Sequence, residues 1–155
     1  MTDLRHAFAS TENLIVAPGR LLLPSGPRPG LAVLLKAGRF AEIAEAEGLR
    51  ARHPGAGRVD LPHHLMMPGF IDTHTHLTQS LGKSLGFGEP SEIFRRIWVP
   101  LEGSLDEHMV YLSAKLAALE CLRGGFTTAV DAGTRSAGHV GRLADAARET
   151  GLRTV

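Results

Sequence analysis

The sequence has few of the features that mark secreted, membrane-inserted or nucleic-acid-binding proteins. It contains one cysteine in 155 residues, so no disulfide can form within the chain, and we expect Cys121 to be a packed, inert thiol. No apolar run approaches the roughly eighteen residues of a membrane span, and the first residues lack a secretory signal. The net charge is only +1, which gives no basis for nucleic-acid binding. We therefore expect a cytoplasmic protein with no nucleic-acid or membrane partner.

The remaining composition, 43% hydrophobic and 21% charged, is that of an ordinary globular protein. The first part predicts a small β layer, because short β-prone runs alternate with Pro and Gly breakers. The predicted strands are 14–17, 20–23, 31–35, 40–44 and 58–61, with a short helix at 45–52. Pro62, His63 and His64 are expected to form a turn, with the two histidines in surface or packing roles.

One stretch, Met67 to His76, predicts a metal site. Pro68-Gly69 forms a turn, a short apolar strand follows, and the strand ends on His74 and His76. Side chains alternate between the faces of a strand, so both histidines should point the same way, together with Phe70 and Asp72. Their Cα atoms would lie roughly 6.6 Å apart, which lets both imidazoles reach one ion at about 2.0 to 2.1 Å. The alternative is a pair that only bonds to backbone or solvent.

The second part predicts helices alternating with strands. The pattern favours a helix at 105–123, opened by a capping box from Ser104 to Glu107 and closed by Gly124-Gly125. Its apolar positions predict one face that packs on a sheet, formed by Met109, Leu112, Leu116 and Leu119. A strand at 126–131, a helix at 137–150 with Val140, Leu143, Ala144 and Ala147 inward, and a strand from residue 152 complete the pattern. A shorter helix is predicted from residue 90 to 98, ended by Pro100.

The run Pro68-Gly-Phe-Ile-Asp-Thr-His-Thr-His-Leu77 resembles the first-strand signature of the amidohydrolase superfamily. The similarity covers nearly the whole chain, including the stretches 97–102 and 124–131, and leans towards the branch containing cytosine, guanine and adenosine-type deaminases and triazine hydrolases. The resemblance implies an α/β fold in which residues 67–155 form the first two βα units, and the start of the third strand, of a (β/α)8 TIM barrel. Residues 1–66 would then form part of a small β-sandwich.

Length limits what these residues can do alone. A full barrel takes about 250 residues, so 155 residues cannot close one. The resemblance places the remaining metal ligands and the catalytic carboxylates on later strands, beyond Val155. We expect the amino-terminal part of a longer enzyme, with the rest of the barrel on the same or a second chain, and a homo-oligomer when complete.

The resemblance implies hydrolysis of a C–N bond by water activated on one divalent ion, with His74 and His76 among its ligands. Zinc is the expected metal, with iron or manganese as alternatives. The expected reaction is deamination of a small aminated heterocycle. Two alternatives are opening of a cyclic amide, as in hydantoinase-type or imidazolone-type relatives, and an inactive structural or regulatory partner subunit.

Three more residues are candidates for this site. The amide of Gln79 suits the edge of a nucleobase-like ring, and deaminase relatives carry a comparable substrate-contacting Gln; otherwise Gln79 caps loop backbone. Trp98 is expected either to line the substrate pocket, as an aromatic does in some relatives, or to pack in a core or interface. Asp131, at the end of its predicted strand, either supports the metal ligands from behind or fixes a loop.

Overall fold

A computed structural model describes residues 12–89, 91–136 and 138–155. The chain divides into two compact units, with the boundary between Pro68 and Gly69. The first unit is β-rich, and the second alternates strands with helices.

The first unit contains a five-stranded sheet and one helix. Its elements are β1 (Asn13–Leu23), β2 (Gly26–Arg28), β3 (Leu31–Lys36), β4 (Arg39–Glu45), α1 (Ala46–Arg52) and β5 (Gly57–Met66). Successive parts of one edge of β1 pair antiparallel with β3 and β2, while β5 pairs parallel with its other edge. β4 pairs antiparallel with β3. The described residues thus form one sheet, and the predicted sandwich stays a prediction.

Two predicted breaks in this sheet are wrong. β1 runs through Pro18-Gly19, because the pairing with β5 shifts register there and absorbs the irregularity. Gly19 lets the strands approach closely, since a Cβ at this position would lie 2.1 Å from the carbonyl oxygen of Pro62. The predicted turn at 62–64 lies within β5, where His63 and His64 are exposed on the strand.

Strand alternation gives this sheet two apolar faces. Ile15, Ala32 and Leu34 pack on one face with Leu49 of α1. Leu14, Val16 and Val59 form a separate cluster on the opposite side.

The second unit combines a parallel three-stranded sheet with helices. Its elements are β6 (Phe70–Thr75), a 3₁₀ helix (Leu77–Gly86), a π-helical turn (Phe94–Trp98), α2 (Val99–Ser104), α3 (Glu107–Arg123), β7 (Phe126–Asp131), α4 (Val140–Thr150) and β8 (Arg153–Thr154). The strand order is β6-β7-β8. The predicted helix ending at Pro100 is wrong, because Pro100 occupies the first turn of α2, where its missing N–H is tolerated.

The predicted packing face of α3 is also wrong. The large apolar side chains Met109, Leu112, Leu116 and Leu119 are 37% to 46% exposed. The helix instead packs through small residues, with Val110, Ala114, Ala117 and Ala118 in the core beside Ala129 of β7. Alanine side chains are short, so they let a helix lie close to its neighbours. Among the described residues, the close contacts of α3 are on the face that carries these small side chains.

The helix ends were predicted with mixed success. The capping box is wrong, because α3 begins at Glu107 and Asp106 caps it, accepting a hydrogen bond from the backbone N–H of Met109 at 2.8 Å. The left-handed glycine after α3 is confirmed at Gly125, with φ +86°. The predicted closure of α4 by Gly151 is confirmed at φ +84°.

The predicted inward face of α4 is correct for Leu143 and Ala147, which are buried. It is wrong for Val140, which is 61% exposed in the first turn of the helix. Over the described ranges, no helix is both long and apolar enough to cross a membrane.

Candidate functional site

The candidate site lies where β6 and β7 end. β6 pairs parallel with β7 through Asp72 beside Ala129 and then Thr75 beside Asp131. Three steps along β6 therefore match two along β7, which is a bulge between Asp72 and Thr75 that includes His74. Paired residues share a face, so Asp72 lies beside the buried Ala129, and the bulge interrupts the alternation before the histidines.

The prediction that Asp72 shares a face with the histidines stays a prediction, because alternation cannot be counted across the bulge; Asp72, His74 and His76 all border one cavity. Burial and the nearby charge of Asp72 both raise the pKa of the Cys121 thiol on α3. Asp72 also steadies the strand end, since its Oδ1 accepts a hydrogen bond from the backbone N–H of His74 at 3.1 Å.

The two imidazoles lie together. Their ring centroids are 5.4 Å apart and the ring planes are nearly perpendicular, at 81°. Nδ1 of His76 lies 2.8 Å from the carbonyl oxygen of Gly133. A carbonyl only accepts, so Nδ1 carries a proton, and in the neutral ring Nε2 keeps the lone pair with which it can bind a metal.

Asp131 joins the loops that follow the two strands. Its Oδ2 accepts from the backbone N–H of Leu77 at 2.8 Å, and its Oδ1 accepts from that of Gly133 at 2.7 Å. The carboxylate thereby holds both His76, through the next residue, and the carbonyl that orients the His76 ring.

A cavity of about 550 Å³ borders the histidines. Gln79 and Trp98 both line it, as does Cys121 on the side of α3. The indole of Trp98 packs against Gly82, where an added Cβ would lie 3.1 Å from the ring. The structure thus brings His74, His76, Gln79 and Trp98 to one cavity.

Sequence reasoning missed the most buried charge of this unit, Glu102 of α2, which has no exposed surface. Its Oε1 accepts from Thr78 Oγ1 at 2.9 Å and from Gln79 Nε2 at 3.2 Å. Its Oε2 accepts from Arg135, through Nη1 at 2.7 Å and the backbone N–H at 3.2 Å. The available signal was a lone acidic residue ending the apolar run from Val99 to Leu101.

Hydrogen bonding keeps Glu102 ionised despite its burial. Burial raises the pKa of Glu102, but the hydrogen bonds from Arg135, Thr78 and Gln79 outweigh it and hold that pKa below its usual range. The guanidinium of Arg135 also stacks over Phe94, with its carbon 4.2 Å from the ring centroid.

The histidine pair fits half of a metal site. Among the residues that the structure describes, no three His, Cys, Asp or Glu side chains come together to hold an ion. Tight zinc sites use three or four protein ligands, so His74 and His76 need partners from outside this set. The fixed tautomer of His76 and the adjacent cavity suit such a role.

Comparison with known proteins decides the family. The Amidohydrolase family profile matches residues 65–155, more than half of the chain. The chain belongs to the amidohydrolase family. This family is metal-dependent, and the match includes the strand that carries both histidines.

Individual relatives of the chain are deaminases. It is 32% identical, over 152 residues, to a 5-methylthioadenosine/S-adenosylhomocysteine deaminase of Syntrophobacter fumaroxidans, covering 95% of this chain and 34% of that protein. It is also 32% identical, over 99 residues, to a 5′-deoxyadenosine deaminase of Methanobrevibacter smithii, covering 63% of this chain and 22% of the relative. The chain therefore spans about a third or less of the length of these curated relatives.

Solved structures share the fold. A zinc-bound adenosine deaminase from Xanthomonas campestris matches with a TM-score of 0.79 at 21% identity, covering 92% of this chain and 33% of that one. A guanine deaminase from Bradyrhizobium japonicum matches with a TM-score of 0.76 at 20% identity, covering 92% and 34%. The chain is thus a mixed α/β protein that matches about a third of amidohydrolase TIM-barrel structures.

Proposed function

We propose that these residues are part of a metal-dependent hydrolase that deaminates a small aminated heterocycle. The observation that carries the proposal is the pair His74 and His76 at the end of β6, with the ring of His76 oriented by the carbonyl of Gly133. Relatives of the chain that deaminate adenosine-type compounds support the choice of reaction.

In this proposal β6 is the first strand of a (β/α)8 barrel, β7 the second and β8 the third, and the first unit belongs to a small β-sandwich. The remainder of the barrel comes from the same or a second chain and supplies the other metal ligands and the proton-transferring carboxylates. The complete protein is a homo-oligomer.

His74 and His76 would hold one divalent ion, zinc in the first place, with iron or manganese as alternatives. The chemistry that such an ion supplies is activation of water at neutral pH for attack on carbon. The chain's own residues prepare the site: Gly133 fixes the tautomer of His76, and Asp131 holds both loops in place. Asp131 would thus orient the metal ligands without touching the ion.

Gln79 and Trp98 would hold the substrate beside the histidines. Both line the cavity, and an indole offers a flat apolar surface to a heterocyclic ring. The amide of Gln79 can bond with polar atoms at the edge of that ring.

Metal content and ammonia release by the complete gene product test the proposal. We expect about one divalent ion per chain, and release of ammonia from 5′-methylthioadenosine, adenosine or guanine. Ring opening of hydantoin or imidazolone substrates without ammonia release would instead identify a cyclic amide hydrolase. A folded protein that binds no metal and acts on neither class would be a structural or regulatory subunit, and the proposal would be wrong.

A further inference from the structure

Glu102 lies too deep to be a surface ion pair. Its side chain has no exposed surface, and its two carboxylate oxygens receive four hydrogen bonds, from Thr78, Gln79 and twice from Arg135. Two of these donors lie in the 3₁₀ helix after β6, and Arg135 lies in the loop after β7. One carboxylate therefore joins both loops that border the histidines.

The chemistry of this contact determines which way the amide of Gln79 faces. An ionised carboxylate only accepts hydrogen bonds, whereas a glutamine amide has a donating NH2 end and an accepting carbonyl end. The NH2 end must therefore face Glu102, as the distance of 3.2 Å between Nε2 and Oε1 of the carboxylate indicates. The carbonyl oxygen is the end left for other partners.

The side chain of Gln79 also borders the cavity beside His74 and His76. We propose that Glu102 is a positioning residue that presents the carbonyl oxygen of Gln79 to the cavity, where it accepts a hydrogen bond from an N–H group of the ligand. This inference rests on the proposed function for the identity of the ligand, an aminated heterocycle. It assigns the direction of the hydrogen bond, from ligand to protein.

A purely structural role for Glu102 makes a different prediction. Joining two loops would affect stability, but it would not couple Glu102 and Gln79 in catalysis. Ser136 provides a matched control, because its hydroxyl donates to the backbone carbonyl of Glu102 at 2.7 Å and does not touch the carboxylate.

The orientation can be measured without any substrate. The 155 residues contain a single glutamine, so ¹⁵N-glutamine labelling of the complete gene product adds one side-chain amide signal from this part, identified by its loss in Gln79→Ala. We expect one amide proton to be shifted and protected from solvent exchange. The protection should disappear in Glu102→Gln, because the one remaining carbonyl oxygen stays with the charged Arg135 and the new NH2 group faces Gln79; it should persist in Ser136→Ala. An amide that exchanges like free glutamine in the wild type overturns the positioning role, even if Glu102→Gln fails to fold.

Coupling in catalysis is the second measurement. We expect Gln79→Ala and Glu102→Gln each to lower kcat/KM by about tenfold with the metal retained, as loss of one hydrogen bond implies, and the double variant to lose little more. Ser136→Ala should show no such coupling with Gln79→Ala. A double variant near a hundredfold loss would overturn the inference. A protected amide in a protein that deaminates nothing would refute the proposed function and leave the orientation standing.

Discussion

The carboxyl ends of β6 and β7 and the helix-facing side of the same strands are held by different forces. At the carboxyl ends, hydrogen bonds fix the positions: Gly133 orients His76, and Asp131 accepts from two loop amides. On the helix side, Ala129 is fully buried against the small residues of α3. Polar contacts fix the carboxyl ends of the strands, and the volume of the packed side chains fixes the helix-facing side.

This difference separates function from stability within one short sheet. Polar groups that point into a cavity contribute little to packing, so they can be replaced with limited effect on folding. Close-packed alanines offer no chemistry, but they leave no room for larger side chains. Substitutions in the two regions should therefore change different measurements.

The largest effect is expected at the carboxyl ends. His74→Ala or His76→Ala in the complete gene product should remove most of the metal and most of the activity, because each change deletes a proposed ligand. We expect metal affinity to fall by at least about 100-fold, which is more than the loss of a residue that only hydrogen-bonds to a metal ligand causes. Metal analysis by mass spectrometry and steady-state kinetics measure both.

His63→Ala and His64→Ala are the matched controls, since both histidines are exposed on β5. They should keep normal metal content. Near-normal metal content and turnover in both His74→Ala and His76→Ala would rule out the proposed metal site. Complete unfolding of either variant would show that the residues of the site also determine stability.

A smaller effect is expected from Asp131→Asn. The substitution keeps the shape, but Asn has one acceptor oxygen, so it loses the charge and one of the two hydrogen bonds from Leu77 and Gly133. We expect metal affinity to fall by about 10- to 100-fold, as for other residues that orient ligands. Competition with a chromogenic chelator measures this. Unchanged affinity together with lower stability would assign Asp131 to fixing loops alone.

The sequence was sufficient to predict the approximate positions of most strands, the long helices and the family, because these depend on local patterns. The apolar residues that follow the Pro68-Gly69 turn mark β6, and Gly125 and Gly151 mark helix ends. His74 and His76 were found by their spacing at the end of a short apolar strand that follows a Pro-Gly turn. Their convergence with Gln79 and Trp98 on one cavity is consistent with the predicted site.

What failed depended on contacts between distant residues. The bulge between Asp72 and Thr75 is set by pairing with β7, and the continuity of β1 is set by pairing with β5. The buried role of Glu102 depends on Arg135, which is 33 residues further along the chain. The packing face of α3 was predicted wrongly because its largest apolar side chains were expected to be buried. The helix instead packs closely through its small side chains.

On the helix side, Ala114→Leu should destabilise the fold and spare the site. Ala114 has no exposed surface, so the larger side chain must displace its neighbours, at a cost of about 1 to 3 kcal/mol. Thermal and urea unfolding measure the loss, and metal content per folded molecule should stay normal. Loss of metal without loss of stability would contradict the separation of the two regions.

The smallest change in stability is expected on the exposed face of α3. Residues 1–155 expressed alone should self-associate, because Met109, Leu112, Leu116 and Leu119 leave a row of half-exposed apolar side chains along the helix. Leu112→Ser with Leu116→Ser should reduce that association, while the free energy of unfolding changes by only about 0.5 kcal/mol per site, as at other surface positions. Sedimentation velocity and urea unfolding test both parts. Arg123→Ser, exposed at the end of the same helix, is the control and should leave association unchanged. A wild-type polypeptide 1–155 that stays monomeric at high concentration would show that this face does not drive association.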